Sequence, residues 1–274
     1  KRYESMWREV KRIIREHQSF MITTHVNPDG DGIGAACAKS LAKKGINIYG
    51  VYLRKKQHEI DVIIKDLEHY GIHAIFHKGN ASNEDTINQA INKLSSIDGV
   101  RIKILIHSIA FGTLKPMIDA NGNQLNKKNI DMTLDVMSNN LLYWTQTLFA
   151  HKLFSEGSQI IAMTSAGGRK NWNSYGAISL AKSSLESICR QLSLELAPYK
   201  IAVNAIQAGV TDTAALRKIP GSEAMIKKAI QNNPHQRLTQ PEDIGDIISL
   251  FADYESSWMT GNVIRVDGGE DITG

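Results

Sequence analysis

A phenol and a primary amine stand seven positions apart at Tyr175 and Lys182, where residues 165–182 leave an apolar run and enter a long amphipathic segment. At 3.6 residues per turn that spacing is about two turns, so both side chains can point to one side of a helix. A cation beside a phenol lowers the cost of its ionised form. Such a tyrosine can donate a proton, or hold a developing enolate oxygen, at a pH where a free phenol is a poor acid. Taken alone, the pair also reads as an interfacial tyrosine and a solvated lysine on a surface helix.

The elements that must position this pair are legible upstream. Residues 19–26 read as a buried strand, residues 27–34 as a glycine-rich turn, residues 35–44 as a helix and residues 46–53 as a second strand. Strand, turn, helix and strand in that order make a dinucleotide site, in which N–H groups at the helix start receive a pyrophosphate. Gly32 and Gly34, on either side of Ile33, permit close approach of a ligand and of helix to strand. Arg54 lies twenty positions after Gly34, where an acidic residue would select NAD and an arginine accommodates a 2′-phosphate. NADPH is therefore the favoured cofactor, with NADH as the other possibility. A solvated basic loop is the plain alternative for Arg54 and its lysine neighbours.

Further helices are expected over residues 57–70, 83–94, 130–154, 174–197 and 241–254, and further strands over 72–77, 101–107, 159–164, 201–207 and 262–266. Residues 113–129 are polar and irregular. Residues 214–235, with Met225 and Ile226 among lysines, read as a mobile substrate-binding helix. An amphipathic helix over residues 3–17 precedes the first strand. The expected architecture is a Rossmann-like, doubly wound α/β fold: a parallel sheet of about seven strands in one domain, 19–274, behind a helical extension, 1–18.

Composition sets outer limits. The 274 residues are 42% hydrophobic and 22% charged, which suits a water-soluble fold with an ample core. No apolar run approaches the ~20 residues of a membrane span, and the charged start does not read as a signal peptide. Cys37 and Cys189 make neither a disulfide framework nor a metal spacing, which agrees with a reducing cytoplasm. A net charge of +4 is too mild to argue for nucleic acid, but it suits an acidic carrier or a phosphorylated cofactor.

Over residues 32–274 the chain resembles the short-chain dehydrogenase/reductase family, and within it the enoyl-acyl-carrier-protein reductases. Ordinary members carry three residues between Tyr and Lys, whereas enoyl reductases carry six, as here; the ordinary tyrosine position holds Ile178. The stretches 194–198, 201–213 and Val266-Asp267-Gly268-Gly269 fit the same family. The resemblance implies reduction of a trans-2-enoyl thioester, carried on acyl carrier protein or coenzyme A, by a homotetramer. Tyr175 would stabilise the thioester oxygen, Lys182 would hold the ribose hydroxyls and Ser165 would help orient the carbonyl, although a serine there also serves as a strand-end cap. It places Asn80 at the adenine and the backbone of Ser108, Ile109 and Ala110 at the ribose nearest the nicotinamide. Val210 would meet the carboxamide with its backbone and Thr213 with its hydroxyl. His107 is expected to be structural, and Met137 stands where ordinary relatives have a catalytic asparagine, with Asn139 and Asn140 close by.

The turn departs from the family pattern: Asn27 and Pro28 stand where Thr and Gly belong, and proline removes one N–H. The same turn resembles the opening motif of DHH-family phosphoesterases, whose metal ligands match His25, Asp29 and Asp31. Such residues suit Mn²⁺ or Mg²⁺. The Asp-His-His triplet of that family is absent from the sequence, so no metal site is expected. Reduction of a keto group, phosphoesterase activity and a reductase-like shell without activity are the competing readings.

Overall fold

The structure, a computed structural model, describes residues 19–24 and 32–273. The expected helix over residues 3–17, and His25, Asn27, Pro28, Asp29 and Asp31, lie outside the described residues.

Seven parallel strands form one sheet in the order β3-β2-β1-β4-β5-β6-β7. They are β1 (Ser19–Thr24), β2 (Asn47–Tyr52), β3 (Ala74–Lys78), β4 (Ile102–Ser108), β5 (Phe154–Ser165), β6 (Ala202–Ala208) and β7 (Val263–Val266). The chain grows outward from β1 in one direction, then returns to place β4 on its other side. A crevice opens at this reversal, outside the carboxyl ends of β1 and β4.

Parallel strands need helical crossovers, and these cover both faces. On one face lie α1 (Ile33–Lys43), α2 (Gln57–Glu68) and α8 (Pro241–Asp253). On the other lie α3 (Glu84–Ser95), α5 (Asn140–Ala150) and α6 (Gly176–Leu196). Strand β4 shows how the sequence serves both: Ile104 and Ile106 pack toward α1 and α8, while Leu105 packs toward α5 and α6. Helices α1 and α8 cross closely at Gly245, where an added Cβ would lie 2.6 Å from Ser40 Oγ and 2.9 Å from the Ala36 carbonyl oxygen.

Three boundaries differ from expectation, the first being the helix expected over 214–235, which is a 3₁₀ turn (Leu216–Lys218) and a separate helix (Ser222–Asn232). The helix expected over 130–154 is α4 (Lys127–Leu134), a π-helical turn (Asp135–Asn139) and α5, which stops at Ala150. Phe154 already pairs with Ile102 as the start of β5, and a register shift follows before Gln159 meets Ile104. Leu148, Phe149, Leu153 and Phe154 continue a helical apolar rhythm, so periodicity does not mark the break. Lys152 does, by adopting the left-handed region (φ 56°). Further on, α6 begins at Gly176, which makes Tyr175 the residue at its N-cap and not a member of its first turn.

Candidate active site

A cleft of about 1070 Å³ opens along the carboxyl ends of the strands. The residues predicted from sequence converge on its wall: Gly32, Ile33 and Gly34 at the start of α1, Arg54 after β2, and Ser108, Ile109 and Ala110 after β4. Ser165 at the end of β5, Tyr175 and Lys182 at α6, and Val210 and Thr213 after β6 complete the set. Asn80 stands apart. Its side-chain oxygen accepts from Ser82 N–H (3.1 Å) and its carbonyl from Asn83 N–H (2.8 Å), so it shapes the turn into α3 and does not line the cleft.

Tyr175 is presented by a strained turn. Ser174 before it has φ 61°, and the Tyr175 carbonyl accepts the first helical bond, from Ser179 N–H at 2.9 Å. The ring lies against Gly167, where an added Cβ would come 2.4 Å from Cε1 and 3.2 Å from Ser165 Oγ. Glycine is thus required by the close approach of the phenol. Replacing Gly167 by Ala is expected to displace the ring and lower turnover by at least about tenfold with little loss of fold, because a ~1 Å misplacement at reacting groups is costly. Steady-state rates beside a thermal melt check this.

Burial raises the Tyr175 phenol above its ordinary pKa, and the Ser165 hydroxyl opposes that rise. Ser165 Oγ is itself buried and meets no partner in hydrogen-bond geometry, so its contact with the phenol is looser than a formed bond. Lys182 does not play the part expected of it toward the phenol. The residue is 6% exposed, its ammonium donates to the Met163 carbonyl at 2.6 Å, and the causes of the Tyr175 shift are burial and Ser165. Burial pulls Lys182 down to about 8, while the carboxylate of Glu186 one turn on pulls the other way. Thr164 Oγ1 fixes Glu186 with a 2.6 Å bond.

Ile178, at the ordinary tyrosine position, is 8% exposed and forms a small apolar cluster with Met137 and Ala181, against which Leu114 and the Tyr175 ring pack. The π-helical turn carries Met137 into the cleft wall, as π-turns commonly do at functional sites. Asn140 turns away, donating to the Ala81 carbonyl at 2.6 Å, and neither it nor Asn139 lines the cleft. His107 is 1% exposed, and burial, then the Lys182 charge, hold it down to about 3; it stays neutral behind the wall.

Sequence reasoning missed several wall residues. Phe76 on β3 approaches Gly50 so closely that a Cβ there would lie 2.5 Å from the ring, and Ile60 and Ile63 of α2 extend this apolar end. Trp172 joins the cleft by donating to the Pro220 carbonyl (3.0 Å), which ties it to the turn before α7 (Ser222–Asn232). Gly167 was signalled by the glycine pair ahead of the tyrosine. Glu270 and Asp271 had no local signal, since the sheet brings them in from the far end of the chain.

The donor set suits a dinucleotide. A helix start has N–H groups without intrahelical partners, and α1 turns such an end, with its two glycines, into the cleft. Arg54 stands at the exposed rim and Lys182 inside, with the unpartnered Ser165 hydroxyl between strand and helix. Among the described residues no group of three His, Cys, Asp or Glu is placed so that it could hold a metal ion, and no helix is long and apolar enough to cross a membrane.

The seven-stranded order, the crevice at its reversal and the Tyr-Lys wall define a Rossmann-like reductase of the short-chain dehydrogenase/reductase class. A family model described as Enoyl-(Acyl carrier protein) reductase matches residues 29–270. The chain belongs to that family and is an NAD(P)H-dependent oxidoreductase. It is 27% identical over 241 residues to the enoyl-[acyl-carrier-protein] reductase [NADH] FabI of Enterococcus faecalis, covering 88% of this chain and 93% of that one. It is 28% identical over 263 residues to the enoyl-[acyl-carrier-protein] reductase [NADPH] FabI of Staphylococcus aureus, covering 93% and 96%. The enoyl-acyl carrier protein reductase of Bacillus cereus, solved with NADP+ and indole naphthyridinone, superposes with a TM-score of 0.81 at 22% identity, covering 94% of this chain and 98% of that one, a likeness of fold.

Proposed function

We propose that the protein reduces trans-2-enoyl thioesters with NADPH. The observation that carries this reading is the Tyr175 ring, held near Ser165 in the cleft that Lys182 also lines and packed on the apolar cluster of Met137, Ile178 and Leu114. An acyl chain can lie on that cluster with its thioester oxygen toward the phenol. When bound, the nicotinamide supplies a hydride to the β-carbon of the substrate. Negative charge then gathers on the thioester oxygen, where a protonated Tyr175 stabilises it by a hydrogen bond until a proton from water reaches the α-carbon and completes the saturated thioester. The raised pKa of the phenol keeps that proton in place at neutral pH. Lys182 fixes the ribose, and its link to the Met163 carbonyl ties that grip to β5.

The two FabI relatives differ in the cofactor that their names print, so the choice of NADPH rests on Arg54. Replacing Arg54 by Asp is expected to weaken NADPH binding about ten- to a hundredfold, the worth of a charged hydrogen bond, and to leave NADH binding nearly unchanged. Equal loss of both would refute a 2′-phosphate contact. The reaction itself is tested by following NADPH oxidation on addition of crotonyl thioesters of coenzyme A or acyl carrier protein, beside a 3-ketoacyl thioester. Oxidation with the ketone alone would overturn the alkene reading.

Assembly is part of the proposal. Leu250 on α8 (62% exposed), Trp258 (92%) and Val263 on the edge strand β7 (37%) are exposed apolar side chains. Packing across a two-fold axis there, toward a homotetramer in the cytoplasm, would cover them.

A further inference from the structure

The Val210 N–H, part of the backbone that the family resemblance sets against the carboxamide of the nicotinamide, already has an acceptor. It donates to Glu270 Oε2 at 3.0 Å, and the Val210 carbonyl accepts from Thr239 N–H at 3.1 Å. Both backbone groups of Val210 are therefore engaged within the chain, and Glu270 lines the same cleft as Val210 and Thr213.

Glu270 is held there by its neighbours. It opens the 3₁₀ turn Glu270–Ile272, which follows two glycines of positive φ (61° and 85°). Asp271, its carboxylate 3% exposed, clamps this turn across three segments: Arg169 and Lys170 (2.7 Å) after β5, Gln207 (3.2 Å) on β6 and Arg265 (3.2 Å) on β7. Asp267 accepts from Gly269 N–H (2.9 Å) and Asp271 N–H (3.2 Å). The turn is thus fixed, while the Glu270 side chain can leave Val210 by rotation alone. Burial raises its carboxyl pKa, the Val210 N–H lowers it, and Asp267, Lys170 and Asp271 are the other charges that face it.

We infer that the Glu270 carboxylate is an internal competitor for the carboxamide: it accepts from Val210 N–H and must swing away before the nicotinamide end can dock. The inference rests on the dinucleotide reading given above. A neutral carboxamide oxygen replaces a carboxylate at this donor, so a charge-assisted bond is exchanged for a weaker one and the ring end binds less tightly than its contacts allow. The adenosine end, at Arg54, is unaffected.

The test is NADPH binding by fluorescence titration, beside calorimetric titration of 2′-phospho-ADP-ribose, which lacks the nicotinamide. Glu270→Ala is expected to bind NADPH about tenfold more tightly than wild type, with 2′-phospho-ADP-ribose unchanged. Glu270→Gln, which keeps size and an acceptor, should shift NADPH the same way by less. Thr273→Val loosens the same turn, by removing the bonds from Thr273 Oγ1 to Asn232 and Glu270, without touching the carboxylate, and should leave NADPH binding as it was. Unchanged or weaker NADPH binding in both Glu270 variants, or equal tightening of both ligands, would overturn the competitor role while leaving the dinucleotide site intact. Failure of wild type and variants to bind either ligand would sink the dinucleotide reading itself.

Discussion

Replacing Tyr175 by Phe is expected to lower kcat for enoyl-thioester reduction by about 10²- to 10⁴-fold, the range for loss of a positioned proton donor or oxyanion partner. The dissociation constant for NADPH should change by no more than about threefold, because the lost hydroxyl faces the reacting oxygen and not the cofactor's phosphates. The ring itself stays in place between Gly167 and the cluster of Leu114, Met137 and Ile178, so the variant removes one oxygen and little packing. Ser165 Oγ, already without a partner, would remain the nearest hydroxyl and set the residual rate. Stopped-flow rates and a cofactor titration on the same preparation separate the two effects. A variant with unaltered kcat would remove Tyr175 from the chemistry.

Lys182→Met should act on both quantities. Loss of the ammonium removes the grip on the ribose, so NADPH affinity and turnover should each fall by at least about tenfold. The same variant carries a stability signature of definite sign. The Lys182 pKa is near 8 in the folded protein and 10.5 when unfolded. Below pH 8 the ammonium is charged in both states, and its burial costs about 3 kcal/mol. Between about pH 8 and 10.5 the folded state gives up its proton first, the unfolded state binds more protons, and stability rises with pH. Wild type should therefore show a climbing contribution over that window that Lys182→Met lacks, read as the difference between their urea midpoints at pH 7.5 and pH 10. The unpaired Met163 carbonyl lowers the variant's stability at every pH without altering that slope.

Much of the fold was written in local sequence. Alternating apolar and glycine-bounded segments marked seven strands, and seven parallel strands form the sheet. Ile104 and Ile106 face one layer and Leu105 the other, so β4 reads as an almost continuous apolar run, the mark of a strand covered on both faces. What failed to show was set by tertiary contact. The end of α5 depends on a left-handed Lys152 and on pairing of Phe154 with Ile102, and neither is visible in the apolar rhythm. Tyr175 and Lys182 were legible as a pair, but the electrostatic link expected between them is not among the causes of the Tyr175 shift. Its absence was illegible because it required knowing that the lysine would point at the Met163 carbonyl and that burial would dominate the phenol. Asn80 had the right position after β3, yet its side chain serves its own turn. Glu270 and Asp271 came into the cleft only because β7 lies beside β6 and delivers the last residues across its mouth.

The most direct test follows one labelled hydride. In a single turnover with NADPH deuterated at both C4 positions and a crotonyl thioester, the expected product is a butyryl thioester carrying one deuterium at its β-carbon. Wild type should form it within the dead time of manual mixing, and Tyr175→Phe should form the same product far more slowly. Deuterium elsewhere in the product, or undiminished transfer by the phenylalanine variant, would contradict the proposed reaction.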